Sequence, residues 1–138
     1  MYGLFRFTLQ GDVQHEISTP INVRNPITGG TSRCNAIWDT GATSSMIAAN
    51  VAKHLSLTPT STVAIAGVHG IKDAPCYYVD VLFDNGALLR DIKVAEASNV
   101  GGFGLLVGMD IIGKGVFRVD GTNNYLQVDF EVAAEHQQ

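Results

Sequence analysis

The sequence predicts an all-β fold, a closed barrel or sandwich, on three observations. Short stretches rich in β-branched and aromatic residues recur along the chain, many alternating apolar and polar positions. Turn-forming clusters separate them: Asn25-Pro26 to Gly30, Asp84-Asn85-Gly86, and Asp120-Gly121-Thr122-Asn123-Asn124. With 138 residues and no repeat, low-complexity tract or linker, residues 1–138 are expected to form a single domain around one core.

The strand-forming stretches run in order from Leu4 to Gln10, Val13 to Ser18, Ile21 to Asn25 and Arg33 to Trp38. After a gap they resume at Thr62 to Val68, Cys76 to Phe83, Leu88 to Ala95 and Gly104 to Val107. Two more follow, Val116 to Val119 and Tyr125 to Phe130. Two short helices interrupt the pattern. Met46 to Leu55 carries Ile47, Val51 and Leu55 as an apolar stripe at i, i+4 and i+8, with Ser44 or Ser45 as the expected N-cap. Met109 to Ile112 is the second, ended by Gly113 and Gly115.

Composition narrows the function. A net charge of −4, with 16% of residues charged, supplies no basic surface to neutralise phosphates, so no nucleic acid partner is expected. No stretch approaches the roughly 20 apolar residues of a membrane span, and Met1 to Phe7 lacks a charged start followed by a long apolar run. The reading is a cytoplasmic protein away from the membrane. Cys34 and Cys76 have no CxxC spacing, and His15, His54 and His136 have no ligand spacing among themselves or with the cysteines, so neither a metal nor another cofactor is expected. Two reduced, partly buried thiols are the simpler account.

One motif carries chemistry. Trp38-Asp39-Thr40-Gly41-Ala42-Thr43 places a carboxylate where an apolar strand breaks into a turn of small and hydroxyl residues. The strand fixes the acid, and Gly41 lets a backbone amide approach its oxygens. Downstream, Leu105-Leu106-Val107-Gly108-Met109-Asp110-Ile111-Ile112 sets aliphatic residues and a Gly before a short helix.

These two motifs, in this order on a strand-rich chain, resemble the retropepsin-like aspartic proteases, over residues 13–131. Met109 and Asp110 replace the last two residues of the retroviral Gly-Arg-Asn pattern, while Gly-x-Asp occurs in cellular and bacterial relatives. The resemblance is therefore to the cellular, bacterial or phage type rather than the retroviral one. Asp110 is expected to be a helix cap or structural partner, not a second catalytic acid.

What the resemblance implies is specific. Aspartic-protease chemistry needs two facing carboxylates sharing a proton, and one chain of this length supplies one. A homodimer is therefore expected, with Asp39 facing its own copy across a twofold axis and activating a water to hydrolyse a peptide bond. Thr40 would cross the axis to the partner's backbone, and Gly41 would complete the catalytic turn. Ala42 would line the substrate site. It has no hydroxyl to donate to an ionised carboxylate, which predicts activity in mildly acidic solution. A hairpin over Val63 to Ala74, with Gly67, Val68, His69 and Gly70 near its tip, would close over a peptide or protein substrate.

The competing reading is a catalytically silent module of the same fold that dimerises or binds peptides. A resemblance of Asp39-Thr40-Gly41 and Asp120-Gly121-Thr122 to aspartyl-phosphate loops fails. The first lacks the Lys between Asp and Thr-Gly, the second has Arg118 where the nucleophile belongs, and alternating strands and helices are missing.

Overall fold

The computed structural model describes residues 2–10, 16–67, 70–97, 102–122 and 125–133. Its chain order is β1 (Tyr2–Gln10), β2 (Ile17–Arg24), β3 (Thr31–Trp38), β4 (Met46–Ala48), α1 (Ala49–His54), β5 (Ser61–Gly67) and β6 (Gly70–Leu82). There follow β7 (Leu88–Ala97), β8 (Leu105–Val107), α2 (Met109–Ile112), β9 (Gly115–Asp120) and β10 (Tyr125–Ala133). The all-β expectation holds, with two short helices.

Seven strands form one sheet in the order β2-β3-β8-β4-β7-β6-β5, and β2 pairs again with β6 through Asn22, Val23 and Arg24. That second pairing closes the sheet on itself and leaves β5 outside the ring as the arm of a hairpin. The other three strands form a separate sheet, β1-β10-β9, in which Tyr2 to Gln10 pair with Ala133 back to Tyr125.

Alternation decides what goes inside. Along β2 the buried residues are Thr19, Ile21 and Val23, and the residues between them are half-buried. Together with Ile47, Val79, Val81, Leu89, Val94, Leu105, Val107 and Ile111 they fill the barrel. A ring cluster fastens the two sheets together: Trp38 packs against Phe5, Phe83, Phe117 and Phe130 at centroid distances of 6.2, 6.3, 5.1 and 5.2 Å.

Two local expectations are corrected. The separate strands expected on either side of Thr19-Pro20 are one, β2, whose Pro20 pairs with Asn35. Pro20 is tolerated because this half of β2 has β3 on one side only, so the missing amide leaves no ladder bond unmade. The part of that expected strand over Val13 to His15 lies outside the described residues. The helix expected from Met46 begins later, at Ala49. Met46 and Ile47 are taken up by β4, parallel to β7 and antiparallel to β8, and tertiary pairing overrides the helical stripe.

Polar anchors shape the ends of the barrel. Asp80, buried, accepts two bonds from Arg24 at 2.9 and 3.1 Å and one from the Asp91 amide at 3.1 Å, beside an irregularity in the β6–β7 ladder between Val79 and Val81. Buried Asn25 donates to Leu55 O at 2.9 Å, tying the β2–β3 turn to the end of α1. Both cysteines are free, Cys34 half-buried and Cys76 buried. Burial pushes the Cys34 thiol up to about 11.

Candidate active site

The Asp39 turn is built from the strand that precedes it. β3 runs parallel to β8, with Trp38 opposite Val107, and the Asp39 amide extends that register by donating to Val107 O at 2.9 Å. Trp38 is buried, and its indole N–H donates to the hydroxyl of buried Thr19 at 2.8 Å. The last strand residue before the acid is therefore fixed by rings on several sides and by one buried hydrogen bond.

Beyond Trp38 the chain folds back at once. The Gly41 amide donates to Asp39 Oδ1 at 2.8 Å, and the Ala42 amide donates to Asp39 O at 3.2 Å. A Cβ on Gly41 would stand 3.1 Å from that same Oδ1, so glycine fits the approach expected of it. Asp39 is half-buried. Among the described residues its Oδ2 has no hydrogen-bond partner, and no other carboxylate bonds to it. The Thr40 side chain is exposed and makes no bond within the described chain.

The second motif packs beneath the first. The Met109 amide donates to Ala42 O at 2.8 Å and the Asp110 amide to Thr43 O at 3.2 Å. Gly108 is where the two segments touch: a Cβ there would meet Ala42 O and the Ser44 carbonyl group at 2.9 Å. Ser45, which sequence reasoning offered as a helix cap, is fully buried, and both its amide and its hydroxyl donate to the Asp110 carboxylate. The cap of α1 is Ala48 instead, with no side-chain bond.

Asp39, Thr40, Gly41 and Ala42 thus lie in one turn. The expected hairpin is also present: β5 and β6 pair from Ser61–Cys76 out to Gly67–Gly70, and Val63 and Ala74, its predicted limits, are register partners. Gly70 has a φ of +108°, the left-handed side that glycine accepts at a hairpin end. Val68 and His69, predicted at the tip, lie outside the described residues. No hydrogen bond joins the described part of this hairpin to the Asp39 turn.

Sequence reasoning missed the Ser45–Asp110 contact and the Trp38–Thr19 bond. The only signal for the first was an acid two places after Gly108, with no evident partner nearby in sequence. Among the described residues no cluster of His, Cys, Asp and Glu has the geometry of a metal site, and no helix is long and apolar enough to cross a membrane.

A family model described as aspartyl protease matches residues 25–111, a span that contains both the Asp39 turn and the Gly108 segment. The chain belongs to this aspartyl protease family. Among solved structures it is similar to a retropepsin-like aspartic protease from Rickettsia conorii, with 16% identity, 96% of each chain covered and a TM-score of 0.60. It is also similar to the EIAV protease complexed with the inhibitor HBY-793, with 16% identity, 76% of this chain and 92% of that one covered, and a TM-score of 0.55. At these identities the structural likeness is one of fold. No curated protein matches the chain.

Proposed function

We propose that this single-domain protein is an aspartic endopeptidase that cleaves peptide bonds as a homodimer, with Asp39 of each copy forming the catalytic pair. The observation that carries the reading is the state of Asp39 at the end of β3: one oxygen accepts the Gly41 amide at 2.8 Å and the other has no partner within the described chain. A carboxylate so held is suited to bind a water on its free side.

In the dimer the two Asp39 groups share one proton, one carboxylate ionised and the other protonated. The ionised member takes a proton from the water as it attacks the scissile carbonyl. The protonated member hydrogen-bonds the carbonyl oxygen. Thr40, exposed and without a side-chain hydrogen bond among the described residues, is free to reach the partner's backbone, while Ala42, Gly67, Val68, His69 and Gly70 contact an extended peptide. Neither a metal nor a nucleic acid enters this scheme.

The surface beside the turn supports pairing of two copies. β9 is an edge strand of its sheet, and Met109, Val116 and Val119 on α2 and β9 are 42, 50 and 43% exposed. An exposed apolar edge next to an incomplete site is suited to a second copy.

Wild type and Asp39→Asn incubated with a diverse peptide mixture across about pH 4 to 7, read by mass spectrometry, test the proposal. Cuts made by wild type and lost in the folded, dimeric variant support it. An intact dimer of wild type that makes no cuts leaves the silent, peptide-binding module as the better reading.

A further inference from the structure

We propose that Ser45 and Asp110 are positioning residues for the Asp39 turn, acting as a strut that sets where the catalytic carboxylate stands. The kinetic part of this inference rests on the protease reading above, whereas its structural part does not.

The turn from Asp39 to Ser45 contains little that holds it in shape. Within it the Gly41 amide reaches Asp39 Oδ1 and the Ala42 amide reaches Asp39 O; from Ala42 O onward, apart from the Ala95 amide on Ser45 O at 3.4 Å, its bonds go to another segment. That segment is Val107 to Asp110. Its backbone takes the Asp39 amide on Val107 O and gives the Met109 and Asp110 amides to Ala42 O and Thr43 O.

The far end of the turn is fixed by side chains. The Ser45 amide donates to Asp110 Oδ2 at 3.0 Å, and the Ser45 hydroxyl donates to Asp110 Oδ1 at 2.6 Å. The same hydroxyl accepts the Gly108 amide at 3.0 Å. One fully buried oxygen therefore bonds both the carboxylate and the backbone of the opposing segment. Asp110 lies in the first turn of α2, but the helix N-cap is Gly108, with no side-chain cap bond. Besides Ser45, among the described residues only its neighbour's amide, that of Ile111, bonds the Asp110 carboxylate, at Oδ1 and 2.9 Å. The carboxylate is directed at the catalytic turn more than at its own helix.

The chemistry favours an acid here. An ionised carboxylate only accepts, and Ser45 offers it two donors aimed at two different oxygens. An amide in its place could still accept from the Ser45 amide, but it would meet the Ser45 hydroxyl with N–H₂, so the hydroxyl would have to accept there and its own proton would lose the carboxylate acceptor. Removing the side chain would strand the Ser45 amide in a buried place.

The consequence falls on Asp39 because Gly108 leaves no slack. With the two segments in backbone contact, any movement at Ser45 is passed to Ala42 and so to the neighbouring Gly41 amide, which holds the Asp39 carboxylate. Catalytic groups misplaced by about 1 Å lose on the order of a hundredfold in rate.

The test uses the full chain carrying Asp110→Ala, Asp110→Asn and Ser45→Ala, with two readouts. Amide hydrogen exchange is followed at Gly41, Ala42 and Met109 and compared with buried Ala36 in β3. In Asp110→Ala we expect these three amides to exchange about tenfold faster or more while Ala36 is unchanged, with Asp110→Asn in between. In peptide cleavage we expect kcat to fall about ten- to hundredfold in Asp110→Ala with KM within about threefold, and Asp110→Asn to recover part of it. Ser45→Ala combined with Asp110→Ala should be little worse than Asp110→Ala alone. Uniform acceleration of all amides, or unchanged exchange at Gly41, Ala42 and Met109, would overturn the strut, as would an unchanged kcat. Should wild type cleave nothing, the protease reading fails, and the exchange data still decide this one. If Asp110→Ala does not fold, the other two variants carry the same comparison.

Discussion

Trp38 and Phe117 lie face to face, ring centroids 5.1 Å apart and planes only 10° from parallel. The pair joins the residue before Asp39 to the edge strand β9, so whatever covers that edge stands close to the Asp39 turn. If a second copy covers it, a charge on the edge should separate the copies. Val119→Lys is expected to weaken self-association by about tenfold or more, roughly 1.4 kcal/mol. Sedimentation at several concentrations would measure this, and specific activity should recover as concentration rises. A dimer of unchanged affinity would place the interface elsewhere.

Trp38 and Thr19 share a buried hydrogen bond at 2.8 Å. In Trp38→Phe the ring face is largely kept but the Thr19 hydroxyl loses its donor, at an expected cost of about 1 to 3 kcal/mol on top of the lost volume. Adding Thr19→Val should make the double variant less unstable than the two single losses summed, because the stranded hydroxyl is gone. Urea unfolding of the four proteins would show it, and strict additivity would argue that the bond matters little.

Gly108→Ala would place a methyl 2.9 Å from the backbone of Ala42 and Ser44. Backbone cannot rotate away, so the loops must part, costing about 1 to 3 kcal/mol in thermal or urea unfolding. Cleavage is expected to fall more than the fraction folded explains. Retained activity with full stability would mean that the contact is softer than it looks.

Cys34 should react slowly. Burial raises its thiol from 9.0 to about 11, and a raised value means less thiolate at any pH below it. Near pH 8 the folded protein is expected to alkylate at Cys34 roughly a hundredfold more slowly than the unfolded chain. Mass-resolved labelling with and without denaturant would test this, and equal rates would refute it.

Ala42 brings no hydroxyl to the Asp39 turn. Cleavage is accordingly expected to peak in mildly rather than strongly acidic solution, and Ala42→Thr, by adding a hydroxyl donor beside the carboxylate, should extend activity toward lower pH. A wild-type optimum below about pH 3 would contradict the argument.

Much of this architecture was legible because local chemistry and tertiary structure agree. β2 follows its alternation, most of the expected strand stretches are strands, and α2 matches the expected Met109 to Ile112. The Asp39 turn was readable because an acid, a glycine and small residues at a strand end have few other uses. What could not be read depends on partners distant in sequence. Met46 and Ile47 fit a helical stripe and become a strand only because β7 and β8 are there to receive them. Pro20 looks like a break until its half of β2 proves to have a single neighbour. Ser45 reads as a cap, since nothing local announces that Asp110 will lie against it.

The pairing of β1 with β10 has a consequence in time. Tyr2 finds its partner in Ala133, at opposite ends of the described chain, whereas β5–β6, β6–β7 and β9–β10 join near neighbours. Closing so long a loop is the slowest kind of contact to make, and on the ribosome it waits until the last strand is synthesised. The sheet whose free edge lies beside Trp38 is thus completed at the end of folding. A chain still being made therefore holds Asp39 before it holds the finished surface next to it.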